Sequence, residues 1–323
     1  MSPIVWAVFV GFILAMLALD LGLFNRVPRL IHFKEAMIWL GVWIGLALVF
    51  NAVLYFGYAN HWLGMGTGEF SAATPKDAAM EFLTGYLVEL SLSVDNIFVI
   101  AIIFQFFKVP AQYQHRVLFW GIMGAIILRG VMIAIGAKLI SEFDWVIYIF
   151  GGFLILTAGK MFFLHQSEFD PEKNIVMRFA RTVLPVSDRY DGHHFVTRID
   201  GKKFLTPLCL CLILIEFTDL IFAFDSIPAI FGITRDPFIV FTSNMFAILG
   251  LRTMYFGLSG LIARFRYLSK ALIFVLAFVG IKMCIHEWVH IGNATSLGIV
   301  TGMLAVGIVM SLVIPENKTE PAL

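Results

Sequence analysis

Residues 89–97, ELSLSVDNI, place two carboxylates six residues apart within a long apolar segment, and this stretch decides the fold. A second stretch, residues 219–227, DLIFAFDSI, repeats that spacing and also continues with a small polar residue and an isoleucine. Other residues recur in the same order around the two stretches. They pair Arg129 with Arg252, Lys160 with Lys282, and Pro110 with Pro237. The chain is therefore predicted to contain an internal repeat, with repeat one at about 79–164 and repeat two at about 204–290.

The composition around this repeat is that of a membrane protein. The chain has 323 residues, of which 60% are hydrophobic and 14% are charged, and its formal net charge is +1. Soluble domains are about half apolar and about a quarter charged. The composition therefore excludes a cytosolic enzyme, a nucleic-acid binder and a disordered chain, and it predicts a lipid bilayer as the surrounding medium.

Nine segments are long and apolar enough to cross a bilayer as helices, which needs about 20 residues each. We expect an all-α, polytopic membrane protein that forms a single transmembrane domain over residues 1–323. Spans three to five match spans six to eight, so the repeats are offset by an odd number of spans and cross the membrane in opposite directions. Such inverted repeats are typical of secondary transporters, whose site lies where the halves meet. The predicted spans are 3–24, 36–59, 79–107, 115–138, 144–164, 204–232, 237–262, 268–290 and 294–314.

Basic residues are distributed unevenly among the connections. Fifteen lysines and arginines fall in alternate connections, whereas the remaining connections contain only Lys76 and Arg235. The positive-inside rule then predicts an N-terminus outside and a C-terminus in the cytoplasm. The long connection at about 165–203 would be cytoplasmic, with a short interfacial helix at 174–184 and a β-hairpin around Asp200 and Gly201.

Six acidic residues fall inside apolar runs, where a charge costs at least a few kcal/mol. Such groups are expected to face the protein interior and to be paired, protonated or bound to an ion. Asn96 and Ser226 add neutral oxygens beside them. An all-oxygen environment suits hard divalent cations such as Mn²⁺, Ca²⁺ or Mg²⁺. Carboxylates that lie close together also share protons, which offers a mechanism for exchanging protons against metal. The six acids are Asp20, Glu89, Asp95, Glu216, Asp219 and Asp225.

Helical geometry limits how these acids can cooperate. Residues six apart, such as Glu89 and Asp95, point about 120° apart on an ideal helix. They can flank one site only if the helix opens near Ser91, or if other spans complete two separate coordination shells. Glu216 and Asp219 share a helix face because they are three residues apart. An alternative is that the acids form structural ion pairs with buried arginines, although five carboxylates on two spans exceed what two central arginines neutralise.

One motif points to a different chemistry. Residues 286–290, HEWVH, match H-E-x-x-H, which on a helix can hold zinc and supply a general base. An intramembrane zinc hydrolase using His286, Glu287 and His290 is one alternative, and a weak external metal-capture point is another. A plain interfacial belt, which Trp288 favours, is the simplest interpretation. Cys209, Cys211 and Cys284 lie in apolar runs and are predicted to be inert.

Several strings of this chain resemble a known family. The string 82–99, FLTGYLVELSLSVDNIFV, closely resembles the signature of the TerC family, which includes tellurium-resistance membrane proteins and manganese exporters of the Alx type. The strings 216–229, EFTDLIFAFDSIPA, and 242–252, TSNMFAILGLR, resemble its second half. Residues 19–22, LDLG, are similar to its first span, and the resemblance extends from about residue 10 to residue 315.

The resemblance implies a bacterial inner-membrane protein of the LysE-like transporter superfamily that exports Mn²⁺, with Ca²⁺ and Mg²⁺ as weaker candidates. It implies neither an enzyme nor a prosthetic group. Asp20, Asn244 and Ser226 would lie along an access path, and Glu216 and Asp20 are candidate proton carriers. The alternative function is a non-transporting membrane component of a tellurium- or stress-resistance complex. The expected metal-binding residues are Glu89, Asp95, Asn96, Glu216, Asp219 and Asp225.

Overall fold

The computed structural model describes residues 2–22, 33–68, 70–163, 185–187, 189–199, 201–258, 266–289 and 291–314. Within these ranges the chain forms nine α-helices and one two-stranded sheet. The helices are α1 (Pro3–Gly22), α2 (Phe33–Ala59), α3 (Pro75–Phe106), α4 (Ala111–Glu142), α5 (Val146–Phe163), α6 (Pro207–Phe231), α7 (Pro237–Leu258), α8 (Arg266–Cys284) and α9 (Asn293–Val313). The strands are β1 (Val196–Ile199) and β2 (Lys202–Leu205).

These helices confirm an all-α, multi-pass membrane protein. Among the described residues, α2, α3, α4, α5, α6 and α9 are long and apolar enough to cross a bilayer, and α1 and α7 contain shorter apolar stretches. Large apolar side chains face outward along them, for example Leu156 at 73% exposed and Phe163 at 80% exposed. Contiguous exposed apolar surface of this kind is stable against lipid and not against water.

The first helix of each predicted repeat begins in the same way. Thr74 caps α3 by accepting a hydrogen bond from the Asp77 N–H at 3.0 Å, and Pro75 follows at the first helical position. Thr206 caps α6 by accepting from the Cys209 N–H at 3.4 Å, and Pro207 follows. A threonine cap followed by proline satisfies the free N–H groups of the first turn and fixes the point where each helix starts.

Helix packing follows the order of the predicted repeats. The helix pairs α3–α7 and α4–α6 pack closely, as do the pairs α5–α8 and α3–α6. A two-fold relation would exchange α3 with α6, α4 with α7 and α5 with α8. It would convert the α3–α7 contact into the α4–α6 contact, and it would map the α5–α8 and α3–α6 contacts onto themselves. The inverted repeat and its boundaries stay a prediction. The observed helix contacts are those that such a repeat requires. At the α5–α8 contact the backbones meet at Gly151 and Gly280, where a Cβ on either residue would lie within 3 Å of the other's carbonyl oxygen.

The two sides of the bundle differ in their connections. The hairpin lies on one side, which we call the hairpin face; there Tyr190 donates a hydrogen bond to the Phe107 carbonyl at 2.6 Å. The opposite side, which we call the Arg235 face, brings together the connections that precede α3, α5, α7 and α9. The predicted hairpin is confirmed, with Val196 opposite Leu205 and a positive φ of 76° at Gly201. The predicted interfacial helix at 174–184 lies outside the described residues.

Neither long helix of the predicted site is broken. α3 runs continuously past Ser91, whose hydroxyl donates to the Leu87 carbonyl at 2.7 Å. α6 continues through Pro228 to Phe231. Glu89 and Asp95 therefore point in different directions from an intact helix, and other helices must complete their surroundings.

Candidate cation site

A buried ion triad occupies the contact between α3, α4 and α6. Arg129 is 1% exposed and forms an ion pair with Glu89. Its guanidinium also binds Asp219 through two hydrogen bonds, Nη2 to Oδ1 at 2.8 Å and Nε to Oδ2 at 3.1 Å. Asn244 of α7 donates through Nδ2 to Glu89 Oε2 at 3.0 Å. Two acids therefore share one base, and all three are held by directed hydrogen bonds.

A small cavity lies beside this triad. Glu89 and Arg129 form part of its wall. Apolar side chains and Met161 complete the lining. The remaining polar residues of the lining come from α3 and α6 and are Asp95, Asn96, Asp225 and Ser226.

The amide side chain of Asn96 is buried at the wall of the cavity. Asn96 is 4% exposed, and its Oδ1 has no hydrogen-bond partner among the described residues. Most buried polar atoms in proteins are satisfied, so an orphaned acceptor beside two carboxylates indicates a place for a donor or a cation. Asp225 is oriented by Thr157 of α5, whose hydroxyl donates to Oδ1 at 3.1 Å. α5 thus joins α3 and α6 in building the site.

Among the described residues, no group of three or more His, Cys, Asp or Glu side chains is placed to hold a metal ion. A cation in this cavity would therefore combine the carboxylates of Asp95 and Asp225 with the neutral oxygens of Asn96 and Ser226. Mg²⁺ and similar hard ions accept such mixed sets, in which one or two carboxylates are supplemented by neutral oxygens and water.

The predicted site residues separate into distinct places. Glu89 and Asp219 belong to the triad, which Asn244 contacts, and Glu89 is also part of the cavity wall. Asp95, Asn96, Asp225 and Ser226 line the cavity without belonging to the triad. Glu216 lies against α4 instead, where Gly124 leaves room for its carboxylate because a Cβ there would overlap it. Its Oε2 is buried with no hydrogen-bond partner among the described residues. The side chains of Asp20 and Arg252 lie outside the described residues.

A second polar network on the Arg235 face was not predicted. Glu81 of α3 accepts hydrogen bonds from Thr234 Oγ1 at 2.6 Å and from Asn293 Nδ2 at 2.8 Å. Tyr58 donates to Asp236 Oδ2 at 2.6 Å. Burial raises the pKa of Asp236, against the opposing effect of its hydrogen bonds. Glu81 was not among the six acids singled out from the sequence, although its position just inside the predicted third span, 79–107, was the signal available for it.

The H-E-x-x-H string is not presented by a helix. α8 ends at Cys284, so His286 and Glu287 lie in the turn that follows, while His290 lies outside the described residues. Trp288 is 77% exposed, as the interfacial interpretation expects. The zinc geometry of this motif needs a helix that carries both histidines, and the described part of the motif, residues 286–289, is not helical. Cys209, Cys211 and Cys284 form no disulfide.

Comparison with known proteins decides the family. The model of the integral membrane protein TerC family matches residues 74–319, which include α3 to α9 and all residues of the cavity. The chain belongs to the TerC family. No solved structure matches this TerC protein.

Relatives cover nearly its whole length. An uncharacterized membrane protein, STKORF319, of Myxococcus xanthus is 48% identical over 97% of the TerC chain and 93% of its own length. A putative membrane-bound redox modulator, Alx, of Shigella flexneri is 46% identical over 96% of the chain and 95% of its own length. The Alx protein of Escherichia coli K12 is also 46% identical, over 96% of the chain and 94% of its own length. The family thus extends over both predicted repeats.

Proposed function

We propose that this TerC protein exports a divalent cation, with Mn²⁺ as the favoured substrate, through the cavity between α3, α5 and α6. The observation that carries the proposal is that Asp95 and Asp225, on helices that the predicted repeat relates, line one cavity together with Asn96. The Oδ1 of Asn96 has no hydrogen-bond partner in the described part of the chain. Two carboxylates match the charge of a divalent ion, and the amide and hydroxyl oxygens of Asn96 and Ser226 complete a hard ligand set.

The triad has a separate role in this proposal. Arg129 neutralises one of the two charges of Glu89 and Asp219, and both acids are already engaged in hydrogen bonds. They are therefore poor direct ligands while Arg129 is in place. The triad instead keeps α3, α4 and α6 in register beside the cavity and sets the electrostatic potential that the ion meets.

Export also needs a coupling ion and a direction. Glu216 is the carboxyl group best placed to carry a proton, because its charged form is costly where Oε2 is buried and has no hydrogen-bond partner in the described ranges. Asp20 and Asn244 remain candidates along the access path. The distribution of basic residues supports an inner-membrane orientation with the N-terminus outside and the C-terminus in the cytoplasm.

Metal flux in reconstituted vesicles tests the proposal. The purified protein is reconstituted into liposomes that contain a fluorophore which Mn²⁺ quenches. When Mn²⁺ is added outside, the fluorescence should fall well below that of protein-free liposomes. An imposed proton gradient should accelerate this flux if protons are exchanged for the metal. Flux equal to that of protein-free liposomes would contradict the proposal and would instead support a non-transporting component of a resistance complex.

A further inference from the structure

Oxygen ligands alone would not make this cavity selective among hard divalent ions. Carboxylate, amide and hydroxyl oxygens bind Mg²⁺, Ca²⁺ and Mn²⁺ alike, since all three are hard ions. A site built only from Asp95, Asn96, Asp225 and Ser226 would therefore be open to Mg²⁺ and Ca²⁺ as well. Discrimination needs a ligand that Mg²⁺ and Ca²⁺ do not accept.

One side chain of the cavity wall has that property. Among the described residues that line the cavity, Met161 is the one with a sulfur atom. It lies four residues after Thr157 on α5, so the two side chains share a face of that helix. Thr157 donates to Asp225, which means that this face of α5 is directed towards the carboxylates. The Met161 thioether is thus placed on the carboxylate side of α5.

We propose that Met161 makes the cavity selective for first-row divalent transition ions such as Mn²⁺ over Mg²⁺ and Ca²⁺; this inference rests on the cation site of the proposed function. A thioether is a soft, polarisable donor. Ca²⁺ takes six to eight oxygen ligands, and Mg²⁺ demands a near-ideal octahedron and gives up water reluctantly. Neither ion gains from sulfur, whereas divalent transition ions accept a soft ligand more readily, least at Mn²⁺ and increasingly along the Irving–Williams order.

The repeat supplies a comparison for this methionine. The pair Lys160–Met161 corresponds to Lys282–Met283 in repeat two. Met283 is 2% exposed and packs against Gly232, where a Cβ would lie 2.7 Å from its sulfur. Met283 is therefore a core residue, and it does not line the cavity. The same residue type thus fills the core in one repeat and faces the carboxylates in the other.

Competition binding to the purified full-length protein in detergent tests the inference without relying on transport. Mn²⁺ binding can be measured by the electron paramagnetic resonance signal of free Mn²⁺, with Mg²⁺ and Ca²⁺ as competitors. Met161→Leu keeps volume and apolarity but removes the sulfur, and Met283→Leu is the matched control. The ratio of Mn²⁺ affinity to Ca²⁺ affinity should fall about tenfold in Met161→Leu and stay at the wild-type value in Met283→Leu.

An unchanged ratio in Met161→Leu, or a wild type without preference for Mn²⁺, would overturn the inference. X-ray absorption of Mn²⁺-loaded wild-type protein gives a test that needs no variant, because a sulfur scatterer bonded to the metal is expected and its absence would overturn the inference. A falling ratio in protein that shows no vesicle flux would support the selectivity role and contradict export. Vesicle flux in the wild type, together with an unchanged affinity ratio in Met161→Leu, would support export and contradict the selectivity role of Met161.

Discussion

Replacing Asp95 or Asp225 with asparagine is expected to abolish Mn²⁺ flux in vesicles and to raise cellular manganese. Each change removes one negative charge from the cavity and leaves the side-chain volume nearly unaltered. A divalent ion would then face one carboxylate where the wild type offers two. Loss of one partner of a buried charged contact costs about 2–5 kcal/mol, which corresponds to at least about a 30-fold loss of affinity.

The control for these variants is a carboxylate far from the cavity. Glu142 ends α4 with a side chain that is 56% exposed and 4.0 Å from Lys138. Glu142→Gln makes the same chemical change at the surface and should retain wild-type flux. Wild-type flux in both Asp95→Asn and Asp225→Asn would rule out the cavity as the ion path.

Replacing Arg129 with methionine is expected to have the largest effect on stability. The substitution leaves Glu89 and Asp219 buried in the bundle without their shared cation. Removing one partner of a buried ion pair destabilises a protein by about 3–5 kcal/mol, because the remaining charge is uncompensated. Thermal unfolding of the purified protein in detergent should show this loss, together with a lower yield of folded protein.

Two further variants separate a charge effect from a packing effect. Lys138→Met changes an exposed lysine of the same helix, 76% exposed in its side chain, and should leave the unfolding temperature near that of the wild type. Adding Glu89→Gln and Asp219→Asn to Arg129→Met removes the uncompensated charges, and most of the lost stability should return. If Arg129→Met unfolds at the wild-type temperature, the triad does not stabilise the bundle.

The sequence predicted the positions of the helices well, because apolar runs of about 20 residues have few other solutions. Six of the nine predicted spans coincide with described helices that are long and apolar enough to cross a bilayer. The hairpin was equally predictable, since an Asp-Gly pair between β-forming residues matches a tight turn. The six-residue spacing of Glu89 and Asp95 left two arrangements open, a helix opened near Ser91 or two separate coordination shells. The structure realises the second of the two arrangements considered, because α3 stays intact and neighbouring helices complete each group.

The partners of the acids could not be predicted in the same way. Arg129 pairs with Glu89 and Asp219, which are 40 and 90 residues away along the chain, and only the packing of α4 against α3 and α6 makes these contacts. Helical spacing did place Glu216 and Asp219 on one face, and both contact α4, at Gly124 and Arg129. The helical spacing gave no indication that Glu216 lies apart from the cavity, since the position of its side chain relative to the cavity depends on how α6 packs against α4.

An anomalous-scattering map from crystals soaked in Mn²⁺ tests the central claim most directly, because it locates the metal without assuming transport. We expect one strong manganese peak in the cavity between Asp95 and Asp225, close to Asn96 Oδ1, and loss of that peak in Asp225→Asn crystals. A peak beside Glu216, or at the turn that contains His286 and Glu287, with none in the cavity, would contradict it.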